Sequence, residues 1–118
     1  METSFEIIKP DDWHLHLRSE LILKKVLPFT SRHFSRALVM PNLPSPIVSF
    51  GDAFRYKKEV ISAIPSSHKF EPLMTLFLNK TTSVDDIKIA FEDNLITAVK
   101  YYPAGATTLS DHGVQNLD

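Results

Sequence analysis

Two histidines stand two positions apart in the run Asp11-Asp12-Trp13-His14-Leu15-His16-Leu17-Arg18. On a strand, residues i and i+2 project to the same face. His14 and His16 would therefore stand together, with Trp13, Leu15 and Leu17 turned to the other side. Paired imidazoles on a rigid strand are a starting point for a divalent metal site, zinc above all. Arg18 shares their face where the strand would end, and its guanidinium could meet an anion held beside the metal. The same spacing also fits a half-buried strand with two solvated histidines.

Lys100 is the second residue whose type is out of place, because it interrupts the apolar run Ile96-Thr97-Ala98-Val99-Lys100-Tyr101. A buried ammonium is costly, so its pKa should fall and the neutral amine should be populated. A neutral amine can add carbon dioxide to become a carbamate, an anionic ligand whose two oxygens can bridge two metal ions. A lysine snorkelling out of the sheet is the plainer alternative.

Composition narrows the classes open to such a site. The 118 residues are 43% hydrophobic and 23% charged, with formal net charge -1, which is ordinary for a soluble globular chain. Near-neutral charge gives no reason to expect nucleic acid or an anionic membrane surface as partner. With no cysteine, disulfides and thiolate ligands are excluded and any metal must be held by nitrogen and oxygen. Met1 to Lys9 carries acidic residues and no long apolar run, unlike a signal peptide. No stretch approaches the roughly 18 apolar residues of a membrane span, so a cytoplasmic location is the default expectation. No repeat, low-complexity tract or linker divides the chain.

The elements that must position these groups alternate. Phe5-Glu6-Ile7-Ile8 is a short extended piece closed by Pro10, and the histidine strand follows. Ser19 can cap a helix from Glu20 to about Leu27, with Leu23 and Leu27 on one face and Pro28 stopping it. Arg36 to Met40 reads as a buried strand, ended by the stiff turn Pro41-Asn42-Leu43-Pro44-Ser45-Pro46, whose main polar handle is Asn42. Ser49 and Asp52 resemble a capping box. The helix they open runs to about Ile64, with Phe50, Ala53, Phe54, Lys57, Val60, Ile61 and Ile64 as its core-facing stripe. Leu73 to Leu78 is another strand. Ser83 and Asp86 open a short helix in which Val84, Ile87, Ala90 and Phe91 face the core. The strand ending near Lys100 follows, then a long, small and polar loop that should be mobile. This order predicts an α/β fold of right-handed βαβ units around a parallel sheet. Ligands in such folds collect at the carboxyl ends of the strands, where His14, His16, Arg18, Asn42, Lys100, Thr107 and Thr108 all lie.

Three stretches together carry a resemblance: Asp11 to Arg18, Val39-Met40-Pro41-Asn42-Leu43, and Lys100-Tyr101-Tyr102-Pro103-Ala104-Gly105-Ala106-Thr107-Thr108. In order and spacing they resemble the dihydroorotases of the amidohydrolase superfamily, in the bacterial and fungal single-enzyme branch, over nearly the whole chain. The first stretch alone suggests only an amidohydrolase; the other two narrow it. The resemblance implies a (β/α)8 TIM-type barrel with a metal centre at its C-terminal mouth. It implies reversible cyclisation of N-carbamoyl-L-aspartate to dihydroorotate in pyrimidine synthesis. His14 and His16 would bind the more buried of two Zn2+ ions, and Lys100, carboxylated, would bridge it to the second. A hydroxide held between the metals would attack the ring amide. Arg18 and Asn42 would bind the substrate carboxylate, and Thr107 and Thr108 would sit on the loop that closes over the substrate. Leu109 departs from the pattern, since a polar residue, commonly asparagine, is expected there.

Length is the larger departure. A barrel of this type needs about 250 residues, so residues 1–118 read as the N-terminal half of one barrel domain. The remaining histidines and the aspartate base of the family come from later strands, and nothing after Lys100 can replace them: Asp111, His112 and Asp118 lack a strand context. His33 and His68 fall in connecting segments and are expected to be solvated. The missing half of the barrel is the implied partner. Homodimers are common among related enzymes, although nothing in the sequence fixes an interface. Two alternatives are a non-catalytic scaffold of the same fold and a hydantoinase- or allantoinase-like enzyme. The Arg18/Asn42 pair, suited to a free carboxylate, speaks against the latter.

Overall fold

The computed structural model describes residues 3–116, so Asp118 and the first two residues lie outside it. Four strands alternate with three helices: β1 (Asp11–Leu15), α1 (Glu20–Ser31), β2 (Arg36–Val39), α2 (Phe50–Ala63), β3 (Glu71–Phe77), α3 (Val84–Glu92) and β4 (Ile96–Lys100). The strands form one sheet in the order β1-β2-β3-β4, and every neighbouring pair is parallel. Sequential parallel neighbours joined by helices are what a barrel wall requires.

A single core lies between sheet and helices. Leu17, Val39, Met74 and Leu76 meet Leu23 and Leu27 of α1, Ala53, Tyr56 and Val60 of α2, and Ala90 of α3. Since all three helices share this core, they cover one face of the sheet. Leu15 packs on the same cluster, which turns His14 and His16 to the uncovered face. Trp13 lies on the helix side by alternation but is 57% exposed, with the Arg36 guanidinium 5.7 Å from its ring centroid.

Local sequence fixes the helix starts. At α2 the full capping box is present: Ser49 Oγ accepts from Asp52 N at 3.2 Å and the Asp52 carboxylate accepts from Ser49 N at 3.1 Å. At α3, Ser83 Oγ accepts from Asp86 N at 3.0 Å. Asp86 also accepts from Phe50 N at 2.9 Å, which ties the two helix starts together. Ser83 Oγ in turn donates to the Asp86 carboxylate at 2.7 Å, and this bond foremost, with that from Phe50 N, holds the Asp86 carboxyl below its ordinary pKa.

Several expectations are corrected. Pro28 does not stop α1, which continues to Ser31. The lost backbone bond is outweighed by tertiary anchors on the last turn: Leu27 and Ser31 are fully buried, and Ser31 Oγ lies 2.7 Å from His68 Nδ1. His68 is therefore bound rather than solvated, whereas His33 is exposed as expected. Ser19 has extended N-cap geometry but its hydroxyl caps nothing; Glu59 of α2 accepts from Glu20 N instead, at 2.6 Å. The buried line of α2 is Ala53, Tyr56 and Val60, while Phe54 and Ile61 are about half exposed. Val84 and Phe91 are likewise exposed on α3, leaving Ala90 as its buried residue. Among the described residues, no helix is long and apolar enough to cross a membrane.

Candidate metal centre

The candidate site residues gather where β1, β2 and β4 end. His14 Nε2 and His16 Nε2 are 3.2 Å apart. Two nitrogens at zinc-ligand distance from one ion, at a tetrahedral angle, would be about 3.3 Å apart, so the pair fits a single ion. Arg18 Nη1 lies 3.4 Å from His16 Nδ1 and donates to the Asn42 backbone carbonyl at 2.9 Å. The Asn42 side-chain oxygen accepts from Lys100 Nζ at 2.7 Å. A continuous chain of contacts thus runs His14–His16–Arg18–Asn42–Lys100, linking the ends of three strands.

The electrostatics follow from the burial of one imidazole, His16, among neighbouring basic groups. Burial, then the charges of Lys100, Arg18 and His14, lowers the His16 pKa to about 4. His16 is therefore neutral near pH 7, the state a metal ligand needs. Lys100 is 9% exposed. Its pKa falls below the ordinary lysine value through burial first and the Arg18 charge second, in the direction the sequence implied. Its ammonium also lies 5.1 Å from the Tyr102 ring centroid.

Asn42 is not an outward handle. It is 1% exposed, with its amide oxygen on Lys100 and its amide nitrogen 3.4 Å from the Leu109 carbonyl. Thr107 and Thr108 are exposed, away from this chain of contacts but on a loop that Asn42 touches. Among the described residues, no group of three or more His, Cys, Asp or Glu side chains is placed to hold a metal ion. Two imidazoles are half of a tetrahedral zinc set, and a centre built on them needs further ligands. A cavity of about 850 Å³ is lined by Asn79, Thr81 and His112, among others, and holds none of the five linked residues. The site instead lies on the uncovered sheet face, where His14 is exposed.

No family model matches the chain. Curated relatives do: a dihydroorotase of Sinorhizobium medicae is 53% identical over 95% of this chain and 32% of its own length. One of Cereibacter sphaeroides is 50% identical over the whole chain and 34% of its own length. The fold agrees with the sequence. The crystal structure of a Campylobacter jejuni dihydroorotase superposes with a TM-score of 0.83 at 38% identity, over 93% of this chain and 31% of that one. Over nearly its whole length the chain is similar to dihydroorotases. A Saccharomyces cerevisiae dihydroorotase, solved in complex with 5-fluoroorotic acid, gives a TM-score of 0.81 at 36% identity, over 89% of this chain and 28% of that one. The chain spans about a third of the length of the curated relatives it matches, and its four strands are the N-terminal part of the dihydroorotase barrel.

The loop after β4 holds Leu109, where the resemblance implies a polar residue, and the structure gives that departure a physical meaning. Leu109 has φ +54°. That left-handed conformation costs a branched residue roughly 1–2 kcal/mol, and asparagine tolerates it far better. The loop around it is bonded internally rather than open. Ser110, fully buried, accepts from Thr107 N at 2.8 Å and donates to Thr107 O at 2.6 Å. Gly113 admits the close approach of Tyr102: a Cβ there would lie 2.5 Å from the Tyr102 carbonyl oxygen. Leu109→Asn is expected to raise stability by about 0.5–1 kcal/mol by relieving the backbone. Denaturant midpoints of the two proteins, measured side by side, check this; an unchanged or lower midpoint for the asparagine variant would show that Leu109 is worth more for its packing.

Proposed function

We propose that this chain supplies the first four strands and part of the metal centre of a dihydroorotase. That enzyme interconverts N-carbamoyl-L-aspartate and dihydroorotate in pyrimidine synthesis. The observation that carries the reading is the contact chain from His14 to Lys100, because it joins two metal-ligating rings, a guanidinium and a buried amine at one end of a barrel wall. In this reading residues 1–118 are the N-terminal portion of a single barrel domain. The remaining strands supply the rest of the ligands and cover the edges of β1 and β4.

His14 and His16 would hold one Zn2+ ion through their facing Nε2 atoms. Lys100, carboxylated, would share that ion with a second. When bound, such ions lower the pKa of water and polarise an amide carbonyl. The chain's own side chains do the rest. Arg18 keeps a permanent positive charge beside the histidines and would bind the substrate carboxylate in a charge-assisted pair. Asn42 would assist it. Its amide oxygen accepts from Lys100 Nζ, so the group it would offer an acid is its amide nitrogen, which lies 3.4 Å from the Leu109 carbonyl. The yeast dihydroorotase solved with 5-fluoroorotic acid supports an acid as the ligand class. Thr107 and Thr108, exposed on the loop that Asn42 touches, would close over such a ligand and exclude water.

The test is the intact mass, zinc content and dihydroorotate hydrolysis of the natural gene product. A mass well above 13.4 kDa, about two zinc ions per chain and turnover are expected. A natural product of this size without metal or turnover would reject the reading in favour of a scaffold.

A further inference from the structure

The corner between β1 and α1 carries backbone strain that something must hold. Arg18 has φ +58° and Glu20 φ +51°, with the extended Ser19 between them. Neither is a glycine, and residues in such conformations persist only where their surroundings over-determine them. Both ends of the corner are gripped by α2. The Tyr56 hydroxyl donates to the Arg18 carbonyl at 2.6 Å, and the Glu59 carboxylate accepts from Glu20 N at 2.6 Å. Tyr56 and Glu59 are three residues apart, so they present to one side of the helix.

Tyr56 is 3% exposed. Its ring belongs to the core, but a buried phenol must also find a partner for its O–H, and the one it has is the backbone of the site arginine. Burial pushes its pKa above the ordinary phenol value, so it remains a donor throughout the working pH range. At the far end of the same residue, Nη1 reaches Asn42 O and His16 Nδ1. Arg18 is thereby held at both ends, its carbonyl by α2 and its guanidinium by the β2 turn.

We propose that Tyr56 is a positioning residue for substrate recognition: its hydroxyl locks the Arg18 backbone so that the guanidinium is presented to the substrate carboxylate. This rests on the reading of Arg18 as the carboxylate's partner, and it reaches a residue buried in the core, outside the contact chain.

The test is Tyr56→Phe in the complete enzyme, which keeps the ring and removes only the hydroxyl. kcat and KM are measured for dihydroorotate, together with zinc content and competitive inhibition by dihydrouracil, the same ring without the carboxylate. KM for dihydroorotate should rise about fivefold to tenfold, the loss of one hydrogen bond's net worth. kcat should stay within about twofold of the parent, a flag for loss of uniform binding, and zinc content and dihydrouracil inhibition should not change. An unchanged KM overturns the proposal. A parallel fall in kcat, or equal weakening of dihydrouracil, also overturns it, because Tyr56 would then only support the fold. Arg18→Ala separates the two levels. If it leaves KM for dihydroorotate unchanged, the reading of Arg18 has failed and the role of Tyr56 with it. If it raises KM while Tyr56→Phe does not, the positioning role alone is lost.

Discussion

Exchange of His16 for alanine in the complete enzyme is expected to remove the buried metal and lower dihydroorotate turnover on the order of a thousandfold. Changing a group that merely orients a ligand costs roughly 10–100-fold in affinity or activity, and His16 is proposed as a ligand itself. Its Nε2 faces that of His14 at 3.2 Å, so His14 alone cannot supply the second bond. The same ring sets an acid limit. Its pKa is about 4 in the folded chain against 6.5 in the unfolded one. Between those values the unfolded state binds more protons, so without metal its contribution is undiminished above pH 6.5 and stability is lost as the pH falls toward 4. Zinc content and unfolding midpoint measured from pH 7 down to 4 check both claims. Full zinc occupancy in His16→Ala, with turnover within a few-fold of the parent, would reject the ligand assignment. The acid loss of stability in metal-free protein should shrink in the same variant, since the titrating ring is gone.

How much of this was legible in the sequence depended on whether a signal was local. The two-residue spacing of His14 and His16 is enough to place both rings on one face, and they are there. Ser49 and Asp52 announce α2 because a capping box needs only four consecutive residues, and both of its bonds form. Pro28 misled because proline's local penalty is real but the anchors on Leu27 and Ser31 come from elsewhere in the fold. The buried stripe on α2 is narrower than its apolar spacing implies. Helical spacing identifies an apolar side but not its centre, which Tyr56 and Val60 occupy while Phe54 and Ile61 fall on its flank. Tyr56 lies between Ala53 and Val60 on a buried line, and a tyrosine there signals a hydroxyl in need of a partner, but the partner, the Arg18 carbonyl, is 38 residues away. The inward turn of Asn42 could not be read at all, because its partner Lys100 is 58 residues away. Leu109 stood out by type before its positive φ explained why asparagine is the better residue there.

Lys100→Ala should have the other large effect, and its signature distinguishes a carbamate from an ordinary lysine. The amine is nearly buried, hydrogen-bonded to Asn42 Oδ1 at 2.7 Å, and its pKa is lowered by burial and by Arg18. The free base is thus more populated at a given pH than in an exposed lysine. Its nitrogen lone pair can form a bond to the carbon of carbon dioxide, releasing one proton and leaving an anion with two oxygens. Removing that anion should cost the site its second metal and turnover on the order of a thousandfold, since charge stabilisation at the reacting carbonyl goes with it. Lys100→Arg should do no better, because a guanidinium stays protonated and has no free amine to carboxylate. Added acetate or propionate should restore part of the turnover of Lys100→Ala by placing a carboxylate in the vacated space, and none of that of Lys100→Arg, whose larger side chain fills it. Metal content and kcat with and without the added acid are the measurements. If Lys100→Arg kept both metals and most of its turnover, a positive charge rather than a carbamate would be what the site needs at this position.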